Sequence, residues 1–186
     1  MNLKFRGLHG TCVSHARSIL SNGVKAAHGG RAGAGFYLWA YISDSSRAAE
    51  LAEDWYHWKL GSHDYDICTE RGFALLTCEI EIDGNAYLNL NQARHHETLR
   101  TIKARLPEGE EQARVYDEYL ASQSAFRLKQ YGVPLKVVEA MVPFPQATKK
   151  RHDGPPLTPG ADAYIVLHQG LSELLVVDWK PVGLRR

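Results

Sequence analysis

The chain has 186 residues, 44% of them hydrophobic and 23% charged, with a formal net charge of +1. That length suits one domain, residues 1–186, built around a single core, and the small charge excludes a protein that coats nucleic acid or an anionic membrane through its overall field. Three cysteines (Cys12, Cys68 and Cys78) contain no Cys-x-x-Cys pair, which argues against a disulfide-stapled secreted scaffold and a structural zinc site, so no metal is expected.

Residues 1–6 carry no apolar signal core and no run approaches transmembrane length. The expected setting is therefore cytoplasmic, in the protein's own or a target cell, with no membrane partner. Residues 3–8 read as a first strand. Thr11 or Ser14 caps a helix running to about Leu20, and Asn22-Gly23 stops it. A glycine-rich loop follows, then a strand over 35–39. Residues 43–46 cap a second helix, in which Ala48, Leu51, Ala52 and Trp55 recur at helical spacing until Gly61.

Residues 73–82 alternate as a strand, with Ala74, Leu76, Cys78, Ile80 and Ile82 on one face and Glu79 and Glu81 on the other. Helices are expected over 91–106 and 110–131. Val115, Tyr119, Ser122 and Phe126 mark one face of the second, while His95 and His96 read as surface residues. Residues 136–142 form a short strand, and 143–160, with five prolines and the basic cluster 149–152, form the longest loop. Strands over 163–168 and 173–179 close the domain. Strands are segregated from helices, so the class is mixed α+β.

The glycine-rich stretch "HGGRAGAGFYLWA" poses the functional question. It lacks the Gly-Lys-Ser/Thr ending of a P-loop, and its glycines open a strand where a dinucleotide fingerprint opens a helix. Three segments stand out with it: "LHGT" at 8–11, "GAGFYLW" at 33–39 and "QGLSELLVVDW" at 169–179. In that order they resemble the ADP-ribosyltransferase superfamily, specifically its diphtheria-toxin and poly-ADP-ribose-polymerase branch with a His-Tyr-Glu triad. The resemblance spans nearly the whole chain through short motifs; residues 60–160 contribute none of them. It implies an α+β, mostly antiparallel split β-sheet with flanking helices, and NAD as co-substrate.

The chemistry assigns roles. Cleaving the nicotinamide–ribose bond builds positive charge on the ribose, which a carboxylate stabilises; Glu173 is the candidate. Nicotinamide needs an aromatic face, Tyr37, and backbone groups for its carboxamide, Gly10. His9 is placed as the donor to the second ribose. The resemblance further implies that Thr11 positions the end of the His9 strand, that Gly35 belongs to the binding motif and that residues 24–34 close over the dinucleotide. Arg31 is the charged side chain of that loop suited to the pyrophosphate. Each residue also has a structural alternative: a satisfied core histidine, a core tyrosine, a solvated arginine. Glu173 shares its alternation with Leu175, Val177 and Trp179, which reads as an inward face.

The expected function is mono-ADP-ribosyl transfer to a macromolecular acceptor, protein or nucleic acid, as in bacterial toxins and effectors. That reading leaves room for a neutralising partner protein. Alternatives are a related NAD-dependent RNA 2′-phosphotransferase and a catalytically silent NAD- or ADP-ribose-binding module. A rival site in the arginine-specific branch would use Arg6, Ser43-Asp44-Ser45 and Glu79/Glu81.

Overall fold

The computed structural model describes residues 1–26, 32–41, 45–105, 112–143 and 160–182. Arg31, Ser43, Asp44, the cluster 149–152 and the centre of the glycine-rich loop lie outside them. In chain order the elements are β1 (Asn2–Cys12), α1 (Val13–Asn22), β2 (Phe36–Ala40), α2 (Ser45–Gly61) and β3 (Phe73–Asp83). A short 3₁₀ turn leads to β4 (Tyr87–Asn89), α3 (Ala93–Arg105), α4 (Gln112–Tyr131), β5 (Val137–Pro143) and β6 (Gly160–Val166). A second 3₁₀ turn, His168–Glu173, then enters β7 (Leu174–Pro181).

The strands form one seven-stranded sheet in the order β4-β5-β6-β2-β1-β3-β7, antiparallel except at β4/β5. The mixed α+β class is as expected. The sheet, however, is continuous, and its split is confined to one joint. β1 pairs with β3 over its full length, Asn2↔Asp83 to Cys12↔Phe73, but meets β2 only at Gly7↔Ala40 and Leu8↔Trp39. Past Leu8 the two central strands part, and a cleft opens between them.

The β3 alternation holds. Ala74, Leu76, Cys78, Ile80 and Ile82 are buried with Phe36 and Leu38 on one face. On the other face α2 lays Ala48, Leu51, Ala52 and Tyr56 over Leu8, Trp39 and Leu75. α2 can sit that close because β1 carries Gly10 at the crossing: a Cβ there would fall 2.0 Å from the carbonyl oxygen of Ala52. α4 covers the β4–β5–β6 end with Tyr119 and Leu120 against Val138, Ala140 and Ile165.

Several expectations need correction. β1 runs to eleven residues because β3 pairs with all of it. β4 is only three residues long and leaves no periodic signal. The expected α4 face is half right: Val115 and Tyr119 are buried, but Phe126 is exposed. His95 is buried, with Nδ1 at 2.5 Å from the Tyr119 hydroxyl.

The predicted inward face of the last strand, Leu175, Val177 and Trp179, holds only at Trp179. Leu175 and Val177 are 63% and 46% exposed, and the inward residues are Leu174, Val176 and Trp179. β7 is an edge strand whose register on β3 shifts between Thr77 and Cys78, and that bulge changes the phase of the alternation. Glu173 itself ends the 3₁₀ turn.

Candidate active site

The parting of β1 and β2 opens into a cavity of about 650 Å³, within the range that holds a cofactor-sized ligand. His9, Gly10 and Thr11 form one lip; Gly35, Phe36 and Tyr37 form the other. The divergence of two adjacent strands thus brings together segments that stand 28 residues apart in sequence.

His9 is half-buried. Its Nδ1 lies 2.9 Å from the carbonyl oxygen of Tyr37, across the joint, and its ring packs 4.2 Å from Phe36. A carbonyl only accepts, so Nδ1 carries the proton and donates it. Burial lowers the His9 pKa to about 4, outweighing the opposing pull of that hydrogen bond. The ring is therefore neutral near pH 7, and Nε2 is an acceptor.

Tyr37 is held at its far end. Its hydroxyl donates to the Gly33 carbonyl at 2.7 Å and accepts from the Ala32 amide at 2.9 Å. α4 fixes the same segment, since Asp117 accepts from the Ala34 amide at 2.8 Å. The ring is half-buried and lines the cavity, positioned for stacking. Thr11 is buried and hydrogen-bonds the Tyr65 side chain, so it supports the wall.

The glycines serve packing as much as access. A Cβ on Gly35 would come 2.4 Å from Ile165 on β6, so Gly35 lets β2 close against its neighbour. Gly10 has already been accounted for by α2.

Glu173 is not among the residues lining the cavity. Leu174 registers on Ile80, which pairs with Phe5. His9 lies four residues further along β1, about 13 Å at strand rise. Glu173 pairs instead with the Lys136 ammonium and accepts from the Ser172 hydroxyl at 3.0 Å. Burial alone would raise its carboxyl pKa; Lys136 and Ser172 outweigh that and hold it below the ordinary value. The narrow crevice behind His9 and Tyr37 is closed by Trp39, Trp55, Val142 and Ala163. Among the described residues, Asp64 is the carboxylate on the cavity wall, 2.6 Å from Lys59.

Of the rival set, Ser43 and Asp44 lie outside the described residues, and Arg6 and Ser45 line a separate pocket of about 230 Å³. Arg6 and Lys4 bind Glu79 at 3.5 and 2.7 Å on the sheet surface, and Glu81 accepts from Asn2; none of these lines the cavity. No arginine among the described residues lines it either.

The sequence reading missed the opposite wall. Trp55 and Trp58 stand 5.0 Å apart, with Lys59 above both rings, and Tyr65 and His15 continue the wall. The signal is present as Trp-x-x-Trp-Lys, one helical face at i and i+3, of which the sequence reading used only the helical spacing of Trp55. Lys25 and Lys59 are the cavity's described cations. A second missed grouping lies beside this wall: Cys12, His15 and Cys68 place three ligand atoms within 4.8 Å of one another. No helix among the described residues is long and apolar enough to cross a membrane. No known protein-family model and no curated protein matches this chain.

Proposed function

We propose that the protein binds NAD in the cleft between β1 and β2 and transfers ADP-ribose to a macromolecular acceptor, on an ADP-ribosyltransferase-like fold. One observation carries the reading: His9 and Tyr37 are joined by a hydrogen bond at the point where the two strands part, and both face a cavity of suitable size. Nicotinamide stacks on the Tyr37 ring, and its carboxamide meets the Gly10 backbone. A ribose hydroxyl donates to His9 Nε2. The pyrophosphate lies toward Lys25 and Lys59, and Trp55 and Trp58 offer faces to the adenine.

As the glycosidic bond breaks, nicotinamide leaves with the bonding electrons and the ribose carbon becomes cationic. The acceptor's nucleophile then bonds to that carbon and loses its proton. A carboxylate near the ribose lowers this barrier. Asp64 is the carboxylate the described wall supplies for that role, in place of Glu173.

One observation favours a second reading, a module that binds NAD or ADP-ribose without turning it over: Glu173 is held by Lys136, away from His9. Nicotinamide release from NAD, measured with and without cell lysate, separates the two. Release that falls at least about tenfold in His9→Asn and Asp64→Asn supports transfer. Calorimetric NAD binding without release selects the module, and no NAD binding by any assay overturns both.

A further inference from the structure

We propose that Cys12, His15 and Cys68 form a zinc(II) site of two thiolates and one imidazole at the edge of the cleft. The proposal rests on these residues alone and holds whether or not the cavity binds NAD.

Two segments far apart in sequence build the grouping. Cys12 is the last residue of β1 and the N-cap of α1, where its sulfur accepts from the His15 amide at 3.5 Å. Cys-x-x-His across a strand-to-helix corner puts the imidazole one turn along the helix, on the side of its cap. Cys68 arrives from the segment after α2, in a turn closed by its own amide on the Tyr65 carbonyl at 3.0 Å. The two segments are clamped together by three further bonds: Val13 amide to Gly72 carbonyl, Ser14 amide to Glu70 carbonyl, and Glu70 amide to the Ser14 hydroxyl. These three bonds bring the two segments together without using any of the three ligand side chains.

The sulfurs of Cys12 and Cys68 stand 3.3 Å apart. A disulfide needs about 2.05 Å. Two thiolates on one tetrahedral zinc, each at about 2.3 Å, stand about 3.8 Å apart, so the observed separation is nearer the metal-bridged value. His15 Nδ1 or Nε2 lies within 4.8 Å of both sulfurs, and its ring is set edge-on to Tyr65 with centroids 5.4 Å apart.

Charge favours the same assignment. Cys12 is fully buried, and a lone thiolate there would be poorly solvated. Zinc with two thiolates is neutral overall, and the helix N-terminus favours the anionic sulfur. Binding releases the two thiol protons to solvent and moves no electrons. His15 is the ligand that also lines the cavity, so the position left open by three protein ligands is reached from that side, by water or by a ligand group.

The test uses the full chain, stripped with a chelator and kept reduced with a phosphine. Cobalt(II) is titrated first and zinc(II) second. One equivalent of cobalt should produce a thiolate-to-cobalt charge-transfer band that one equivalent of zinc abolishes, with about two protons released per zinc in weak buffer near neutral pH. Cys68→Ser and His15→Ala sit at half-buried and exposed positions, so neither removes a fully buried side chain. Each should weaken zinc binding by more than about tenfold while circular dichroism stays unchanged. A missing band, or zinc affinity unchanged in both variants, overturns the proposal. So does a reduced protein that ignores zinc but loses two hydrogens in mass at Cys12–Cys68 on mild oxidation, which would make the pair a disulfide.

Discussion

The two sides of β1 behave differently. Toward β3 every residue from Asn2 to Cys12 has a partner; toward β2, among the described residues, the ladder is limited to Gly7 and Leu8, with the Arg6 carbonyl accepting from the Tyr41 amide just beyond it. The paired side is built from alternation and buries a continuous apolar face. The unpaired side leaves strand ends and half-buried polar groups facing a cavity. The same strand thus supplies stability along one edge and a candidate site along the other. The contrast predicts that substitutions on the packed side of β1 act on folding, whereas those at the cleft act on binding and on pH dependence.

The largest effect should come from Gly10→Ala. The new methyl would meet the Ala52 carbonyl at 2.0 Å, which is backbone and cannot swing aside. We expect a loss of about 3 kcal/mol, read as a drop in Tm of roughly 6–12 °C. A drop under about 2 °C would mean that α2 lifts off β1 easily and that the crossing is looser than described.

His9 comes next, through pH. The unfolded ring takes its proton near 6.5 and the folded ring near 4. Stability is therefore intact above about pH 6.5 and declines as pH falls toward 4, because the unfolded state binds the proton first. Solvent reaching the half-buried ring moderates the effect to about 2 kcal/mol. His9→Asn keeps a donor for the Tyr37 carbonyl and removes the titration, so its denaturant midpoint should lose that part of the acid dependence. An unaltered acid slope would show that the proton uptake belongs elsewhere.

How much of this was legible depended on whether a local period or cap carried the information. The β3 alternation and the Ala48, Leu51, Ala52 spacing of α2 placed two core layers directly. His9 and Tyr37 were legible as motif residues, but their junction is a matter of strand register, which no short window contains. The last strand departs from simple alternation because its own Val177 is an extra residue where Asp178 and Val176 face the consecutive Thr77 and Cys78, which changes the residues that point inward. Tyr65 and Cys68 were invisible for a related reason: the segment after α2 has no period of its own and is fixed by hydrogen bonds to α1.

Tyr37→Phe sharpens the cleft side. It strips the Gly33 carbonyl and the Ala32 amide of their shared partner while keeping the aromatic face. A stability loss of about 1–2 kcal/mol is expected, with NAD affinity reduced less than about threefold. Tyr37→Ala should lose more than about tenfold in affinity. Equal losses from both variants would assign the binding role to the hydroxyl and remove the stacking argument.

The smallest effect is expected at Glu173, and it discriminates most. Its carboxylate is partly solvated, so exchanging it for an amide should cost less than about 1 kcal/mol at neutral pH. The Glu173 pKa is lowered in the folded chain by Lys136 and Ser172 against the opposing effect of burial. Its contribution is thus present above the ordinary carboxylate range and lost as pH falls through the folded value, so wild type and Glu173→Gln should converge in acid. Nicotinamide release, if the protein turns NAD over, should be unchanged in Glu173→Gln, because its neighbour Leu174 already registers about 13 Å along the sheet from His9 and the carboxylate is held by Lys136. A variant that folds normally yet loses release by more than about tenfold would mean that the 3₁₀ turn at 168–173 swings toward the cleft when NAD binds. The paired edge of β1, through the β3–β7 ladder, would then be part of the active site.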